Sequence, residues 1–255
     1  MKQVDFKELA YEPTDLAALR AFYAALYVAS FPDADERESL DNMGDYLRRK
    51  ASGWYGSNNY HIVLGLSDGA VVAASICDYL AEPNVGVIEF LLVSPAARGG
   101  GMGRRLLDHT EALLDQDARR GRGRPLDCVL AEMNDPLAES ASADNFDPVA
   151  RALIWHGWGF RRLAFPYVQP ALSVRQSAVT NLLLICRPLR EGWSAGVPSQ
   201  VVVGAVHEYM RWAMRIELPD HNVEFREMVQ VLTQTDSIDL QSLDGYAGSI
   251  GVNGP

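Results

Sequence analysis

The chain is 255 residues long, which at about 150 residues per domain is room for one large domain or one domain with an appendage. Hydrophobic residues make up 48% and charged residues 22%, a balance that excludes a wholly disordered chain. Asp plus Glu (33) against Lys plus Arg (23) gives a net charge of -10, a sign that opposes generic binding to the nucleic-acid backbone and suits cationic small partners.

Residues 4–9 alternate like a half-buried strand, and Glu12-Pro13-Thr14-Asp15 then offers a helix start. Apolar residues recur at helical spacing over 16–28, ending at Phe31-Pro32, and an acidic connection of Asp33, Asp35, Glu36 and Glu38 follows. A more polar helix is predicted over 37–50, with Leu40, Met43 and Leu47 as its inner stripe. Residues 60–66 and 70–79 read as two strands joined by Ser67-Asp68-Gly69, because Asp-Gly tolerates the positive φ of a hairpin turn. Another strand is predicted over 85–93. A glycine cluster from Gly99 to Gly103 comes next, then an amphipathic helix with Leu106, Leu107, Thr110, Leu113 and Leu114 on one face and Gly121 beyond its end.

Residues 126–132 read as a buried strand, 134–147 as a loop rich in Asp, Asn, Ser and Pro, and 149–156 as a short helix stopped by Gly157 and Gly159. Two strands are predicted over 161–168 and 181–187. After Pro188 the pattern turns helical over 198–216 and 223–232, and residues 235–255, which hold no Lys or Arg, read as a mobile tail. Cys77, Cys128 and Cys186 are far apart, with no C-x-x-C pair, so neither a disulfide framework nor a zinc site is expected and a reducing compartment fits. No apolar run approaches the ~18 residues needed to cross a bilayer, and residues 1–8 have no apolar signal core, so a cytoplasmic protein without a membrane partner is expected.

One segment carries chemistry. From Glu89 through Leu91, Leu92, Val93 and Pro95 to Arg98, Gly99, Gly100, Gly101, Met102, Gly103, Arg104, Arg105 and Leu106, an apolar strand, a Pro-containing turn, a glycine bend and a helix follow in direct succession. Glycines at a helix entry let backbone approach a ligand closely, and the N–H groups there, with the positive end of the helix dipole, suit a pyrophosphate. The segment lacks the Gly-Lys-Ser/Thr ending of a triphosphate-binding P-loop. It also misses the dinucleotide fingerprint: read from Gly99 the third glycine comes one residue early, and read from Gly101 it is replaced by Leu106.

Arg98-x-x-Gly101-x-Gly103, preceded by the strand and Val93-x-Pro95, resembles the acetyl-CoA-binding motif of the GNAT family of N-acetyltransferases. The order of elements over residues 4–188 and the pair Gly159-Phe160 strengthen the likeness. The resemblance implies an α/β fold with a mixed, mainly antiparallel sheet splayed at the fourth strand, flanked by helices and followed by a C-terminal helical extension. On this reading residues 1–190 form the acetyltransferase domain, 191–234 the extension and 235–255 the tail. Acetyl-CoA would lie in the split as co-substrate, its pantetheine along the backbone of Leu91, Leu92 and Val93 and its pyrophosphate over Arg98, Gly99, Gly100, Gly101, Met102, Gly103 and Arg104. These contacts are mostly main-chain, so substitutions at Ala97 or Met102 should matter less than bulk at Gly101 or Gly103.

Transfer to an amine by direct attack needs no metal and no covalent intermediate, but it does need a proton acceptor. Glu89 is the first candidate for this base, as the one ionisable residue in the run 85–93 and on the strand where many family members carry an acid. Glu132, on the next strand and near Asn134, is the alternative base or an acceptor-site residue. The family's usual general acid is a tyrosine four residues before the Gly-Phe pair. Trp155 stands there, so His156 or Tyr167 substitutes, or the thiolate takes its proton from water. The basic run Arg119, Arg120, Arg122 and Arg124 reads as a solvated helix end, with contact to the CoA 3′-phosphate as the other reading. The acidic connection around Asp33 to Glu38 favours a cationic acceptor. Tyr209, Trp212 and Met214 give the extension apolar surface for packing on the domain or on a second copy, a homodimer being one expectation. Two readings from other classes stay open: a CoA-sensing or protein-interaction module without turnover, and a nucleotide-binding protein.

Overall fold

The computed structural model describes residues 3–31, 37–138, 146–171 and 176–246. It falls into two compact units, Met1–Leu126 and Asp127–Pro255. The first unit contains β1 (Asp5–Glu8), α1 (Pro13–Phe22), a π-helical turn (Tyr23–Tyr27), α2 (Val28–Ser30), α3 (Leu40–Ala51), β2 (Asn59–Ser67), β3 (Ala70–Leu80), β4 (Val85–Val93) and α4 (Met102–Arg122). Its strands lie in the order β1-β2-β3-β4, each pairing antiparallel.

Local signals account for most element ends. Pro13 occupies the first turn of α1, where its missing N–H costs nothing. Ser39 caps α3 by accepting from the Asn42 N–H at 3.1 Å. Asp68 (φ 50°) and Gly69 (φ 79°) make the β2–β3 turn in the left-handed region, as the Asp-Gly pair predicts. The expected helix over 16–28 is not one regular α-helix: α1 stops at Phe22, and the π turn inserts an extra residue that re-aims Tyr27 into the core. Gly121, expected beyond the end of α4, lies inside it; Gly123 takes the left-handed cap, its N–H bonding Arg119 O at 3.1 Å.

The two faces of this sheet are covered differently. Helix α4 buries Leu106, Leu107, Leu114 and Ala118, each buried Leu being worth roughly 1.5–3 kcal/mol. A Cβ at Gly86 would lie 2.6 Å from Leu114 Cδ1, so this glycine is what lets the helix settle onto β4. The other face carries Tyr60, Ile62 and Ile76 under Met43, Tyr46 and Leu47 of α3 and under Tyr27, with the Tyr46 and Tyr60 rings 5.0 Å apart.

The second unit contains β5 (Cys128–Asn134), α5 (Pro148–Gly157), β6 (Arg161–Leu163), β7 (Leu182–Pro188), β8 (Gly196–Pro198), α6 (Ser199–Trp212), α7 (Val223–Leu232) and β9 (Ser237–Gln241). Its strand order is β5-β7-β6-β9-β8, again antiparallel throughout. The strand expected over 161–168 ends at Leu163, just ahead of Pro166, which has no N–H for a ladder. The tail expected from residue 235 begins instead with β9, whose Leu240 pairs with Leu163 of β6 and whose Ile238 is buried opposite Val197 of β8. The segment after residue 190 is therefore not purely helical, since β8 and β9 add two strands to it. Residues 247–255, Asp33, Asp35 and Glu36 of the acidic connection, and 139–145 of the expected loop lie outside the described residues.

Candidate functional site

The chemistry-bearing segment forms a tight strand-turn-helix in the first unit. At the end of β4 the Ser94 N–H bonds Val72 O at 2.8 Å, a single tight turn follows at Pro95–Ala97, and Arg98 Nε donates back to Val93 O at 3.2 Å. Gly99 (φ +83°) and Gly101 (φ +72°) then adopt the left-handed conformation that disfavours a side chain. Gly101 is the N-cap of α4 and supplies no capping side chain. The first bond of the helical ladder runs from the Arg105 N–H to Gly101 O at 3.1 Å. The N–H groups of Met102, Gly103 and Arg104 thus stand ahead of that ladder, at the positive end of a 21-residue helix whose entry glycines, Gly99 to Gly101, are exposed.

Nothing lies within 4 Å of a Cβ built on Gly101, so its requirement is conformational and not spatial. Gly101→Val, β-branched and disfavoured at positive φ by ~1–2 kcal/mol or more, is expected to displace the turn and weaken acetyl-CoA binding by at least about tenfold. Gly101→Asn, which tolerates this conformation, should bind between the valine variant and the parent, as titration calorimetry would read. Equal affinities for both variants and the parent would contradict a role for this turn. The Met102 side chain, expected to matter less than Gly101 for the ligand contacts, has a place in the fold: it is 6% exposed, in a core cluster with Val4, Val63, Ala73 and Leu106. Arg104 pairs with Asp108 at 2.7 Å along the helix.

Glu89 sits in a β-bulge. Ile76 opposes Phe90 and Cys77 opposes Ile88, so Glu89 is the extra residue of β4. The bulge puts Glu89 and Phe90 on the same face, away from α4: the Phe90 ring lies 5.0 Å from Tyr27, and the Glu89 carboxyl hydrogen-bonds Asp78 of β3. Strict alternation would have turned the two apart. Burial pushes the Asp78 carboxyl up, against the lowering effect of its bond to Glu89. The Tyr27 and Tyr60 phenols are also pushed up, first by burial and then by the nearby Glu89 charge. Asp78 escapes the sequence reading, although the signal that picked out Glu89 is there too, an acid alone in an apolar strand.

Tyr27 Oη accepts the Glu38 N–H at 2.9 Å, while the Glu38 carboxylate accepts the Ser39 N–H and Asn42 Nδ2, both at 2.7 Å. The one described acid of the acidic connection is thus engaged at the entry of α3. The basic run is engaged along α4 as well, Arg119 with Asp115 at 2.6 Å and Arg120 with Asp117 at 3.5 Å. This is the solvated, dipole-compensating end of a helix about 30 Å long.

In the second unit, Glu132 of β5 accepts hydrogen bonds from Tyr167 Oη and, at 3.1 Å, from Tyr209 Oη of α6. Tyr209, read from sequence as packing surface, is therefore also a polar partner of a candidate site residue; a separation of 77 residues hides such a contact. Burial, and then the Glu132 charge, push the Tyr167 phenol well above its ordinary range, which makes it a poor proton donor. Trp155 is a packing residue, its ring 4.6 Å from Phe160 and 5.3 Å from Trp158. His156 Nδ1 lies 3.2 Å from Ser242 Oγ. Among the described residues no three His, Cys, Asp or Glu side chains are gathered for a metal, and no helix is long and apolar enough to cross a membrane.

Residues 17–123 match the profile of the acetyltransferase (GNAT) family, which takes in β4, the glycine turn and α4. No curated protein matches the chain. Among solved structures, it is similar to a Bacteroides thetaiotaomicron protein assigned to the GNAT acetyltransferases, at 19% identity and a TM-score of 0.57 over 82% of this chain and 98% of that one. It is also similar to a tandem GNAT protein from the clavulanic acid biosynthesis pathway, at 21% identity and a TM-score of 0.51 over 66% of this chain and 46% of that one. At these identities the likeness is one of fold. The segment 17–123 is a GNAT-family acetyltransferase domain, and the chain has the GNAT fold.

Proposed function

We propose that the protein is an acetyl-CoA-dependent N-acetyltransferase that moves the acetyl group to a primary amine by direct attack within a ternary complex. The observation that carries this reading is the left-handed Gly101 turn, which leaves the Met102, Gly103 and Arg104 N–H groups ahead of the α4 ladder directly after β4. Residues 98–104 would hold the pyrophosphate through those N–H groups, and the backbone of residues 91–93 the pantetheine. Bound acetyl-CoA supplies the activated thioester.

An amine with an ordinary pKa of about 10.4 costs ~4.6 kcal/mol to hold neutral at pH 7. Glu89, half-buried beside aromatic rings and turned by the bulge, is the base we assign to that proton. Positioning the two substrates supplies much of the remaining acceleration. Glu132, held by two phenols, is the second carboxylate, for orienting the acceptor or as an alternative base. With Trp155 in packing and Tyr167 bonded to Glu132, the departing thiolate takes its proton from water. The three cysteines are buried and unbridged, in keeping with a cytoplasmic setting.

The test is acceptor-dependent thiol release by the purified full chain with acetyl-CoA and a panel of amines, cationic ones included. Release that requires both substrates is the expected result. Tight acetyl-CoA binding without release from any amine would overturn it in favour of a CoA-sensing module, and a preference for ATP or NAD over CoA would overturn the CoA assignment itself.

A further inference from the structure

We propose that Tyr167 and Tyr209 are positioning residues for Glu132: each phenol donates to a different oxygen of its carboxylate, so that helix α6 of the C-terminal extension helps build the subsite that orients the acceptor amine. Tyr167 Oη donates to Oε1 and Tyr209 Oη to Oε2, the second at 3.1 Å. The last torsion of a glutamate side chain is broad, and one hydrogen bond leaves the carboxylate able to turn about it. Two donors, one on each oxygen, fix its plane. A carboxylate has about four acceptor sites, so the two phenols hold the group without using up its capacity to accept from a substrate.

The folding of the second unit delivers both phenols to this point. Tyr209 falls on the buried stripe of α6, in step with Val202, Ala205 and Val206, so its ring packs and only its hydroxyl needs a polar partner. Tyr167 stands in the stretch between β6 and β7. There the Val168 N–H reaches Met228 Sδ of α7 at 3.5 Å, and Gln169 and Val179 exchange backbone bonds at 3.0 and 2.8 Å. Burial, with the Glu132 charge added to it, keeps the Tyr167 phenol protonated and so able to donate. A backbone carbonyl would have satisfied either buried hydroxyl, yet phenols from two separate segments converge on one carboxylate. Tyr167 and Tyr209 are 3% and 6% exposed, whereas Glu132 is half-buried. The donors thus back the carboxylate from the interior, and its accessible part faces a ligand.

The positioning role rests on the acetyltransferase reading, with Glu132 orienting the acceptor; the pair of bonds does not. In the thiol-release assay, Tyr209→Phe, which keeps the ring and loses the donor, should lower kcat/KM for the amine by roughly 5–30-fold without moving the acetyl-CoA KM. Tyr167→Phe should act in the same direction. In the Glu132→Leu background, where the phenol has lost its acceptor, Tyr209→Phe should change the amine kinetics by less than about twofold. Parental amine kinetics in Tyr209→Phe, or the same fold loss in both backgrounds, overturns the positioning role. Thermal melts of the same four full-length proteins read the bond without turnover. Tyr209→Phe should lower Tm in the parent but not in Glu132→Leu, where it removes a stranded hydroxyl. An equal loss of Tm in both backgrounds overturns the bond. Absence of turnover by the parent with any amine would instead overturn the acetyltransferase reading, and the melts would then decide the bond alone.

Discussion

Glu89→Gln is expected to lower kcat for amine acetylation at pH 7 by roughly 10²–10⁴-fold, the usual contribution of a positioned base, with acetyl-CoA affinity close to the parent's. The substitution keeps the size and shape of the side chain and leaves the glycine turn at residues 99–101 untouched, so it removes proton acceptance and little else. The deficit should shrink as pH rises toward the acceptor's own pKa of about 10.4, because an amine that is already neutral needs no base. A pH series of kcat for parent and variant checks this. A constant deficit across pH would point to positioning in place of proton transfer, and full activity in the variant would move the base elsewhere, Glu132 being the other carboxylate candidate.

The second large effect concerns stability. His61 is buried between two carboxylates, Nδ1 to Glu8 at 2.6 Å and Nε2 to Asp117 at 2.7 Å. Glu8 also takes Lys50 Nζ at 2.6 Å, and Asp117 takes Asn59 Nδ2 at 2.9 Å. One imidazolium thus ties β1, β2, α3 and α4 together. His61→Ala leaves Asp117 buried with its main counter-charge gone and should cost about 3–5 kcal/mol, a fall in Tm on the order of 10 °C.

The pH dependence follows from the signs. Burial disfavours the charged His61 ring, but the bonds to Asp117 and Glu8 outweigh it and raise the pKa above its ordinary 6.5. This contribution is full below about pH 6.5 and is lost as pH rises through the raised value. Burial likewise works against the Glu8 carboxylate, and His61 and Lys50 outweigh it, bringing the pKa from 4.5 down to about 2. That contribution is full above about pH 4.5 and is lost as pH falls toward 2. The network therefore stabilises most between about pH 4.5 and 6.5. Thermal melts across pH should show a decline above that window in the parent which is flattened in His61→Gln; parallel profiles would contradict the charged imidazole.

Contiguous signals made much of this legible in the sequence. The strand over 85–93 and the helix over 223–232 coincide with β4 and α7, because each is a strongly patterned run with clear stops. The Arg98 to Gly103 turn could be read because its glycines are adjacent in the chain. What stayed hidden depends on register. A one-residue bulge at Glu89 decides that this carboxyl shares a face with Asp78 and Phe90, and no local pattern encodes it. Glu132 meeting Tyr209 needs α6 placed against β5. Two misses were avoidable. Met102 sits four residues before Leu106 and so extends the buried stripe of α4, and Ile238 and Leu240 alternate within β9.

On the function proposed above, acetyl-CoA is held by main-chain N–H groups of residues 91–93 and 99–104. Hydrogen–deuterium exchange of the full chain with and without acetyl-CoA tests it most directly. Exchange is expected to slow at these amides on addition of acetyl-CoA and not of ATP. Unchanged exchange there, with slowing confined to other segments or none at all, would contradict it.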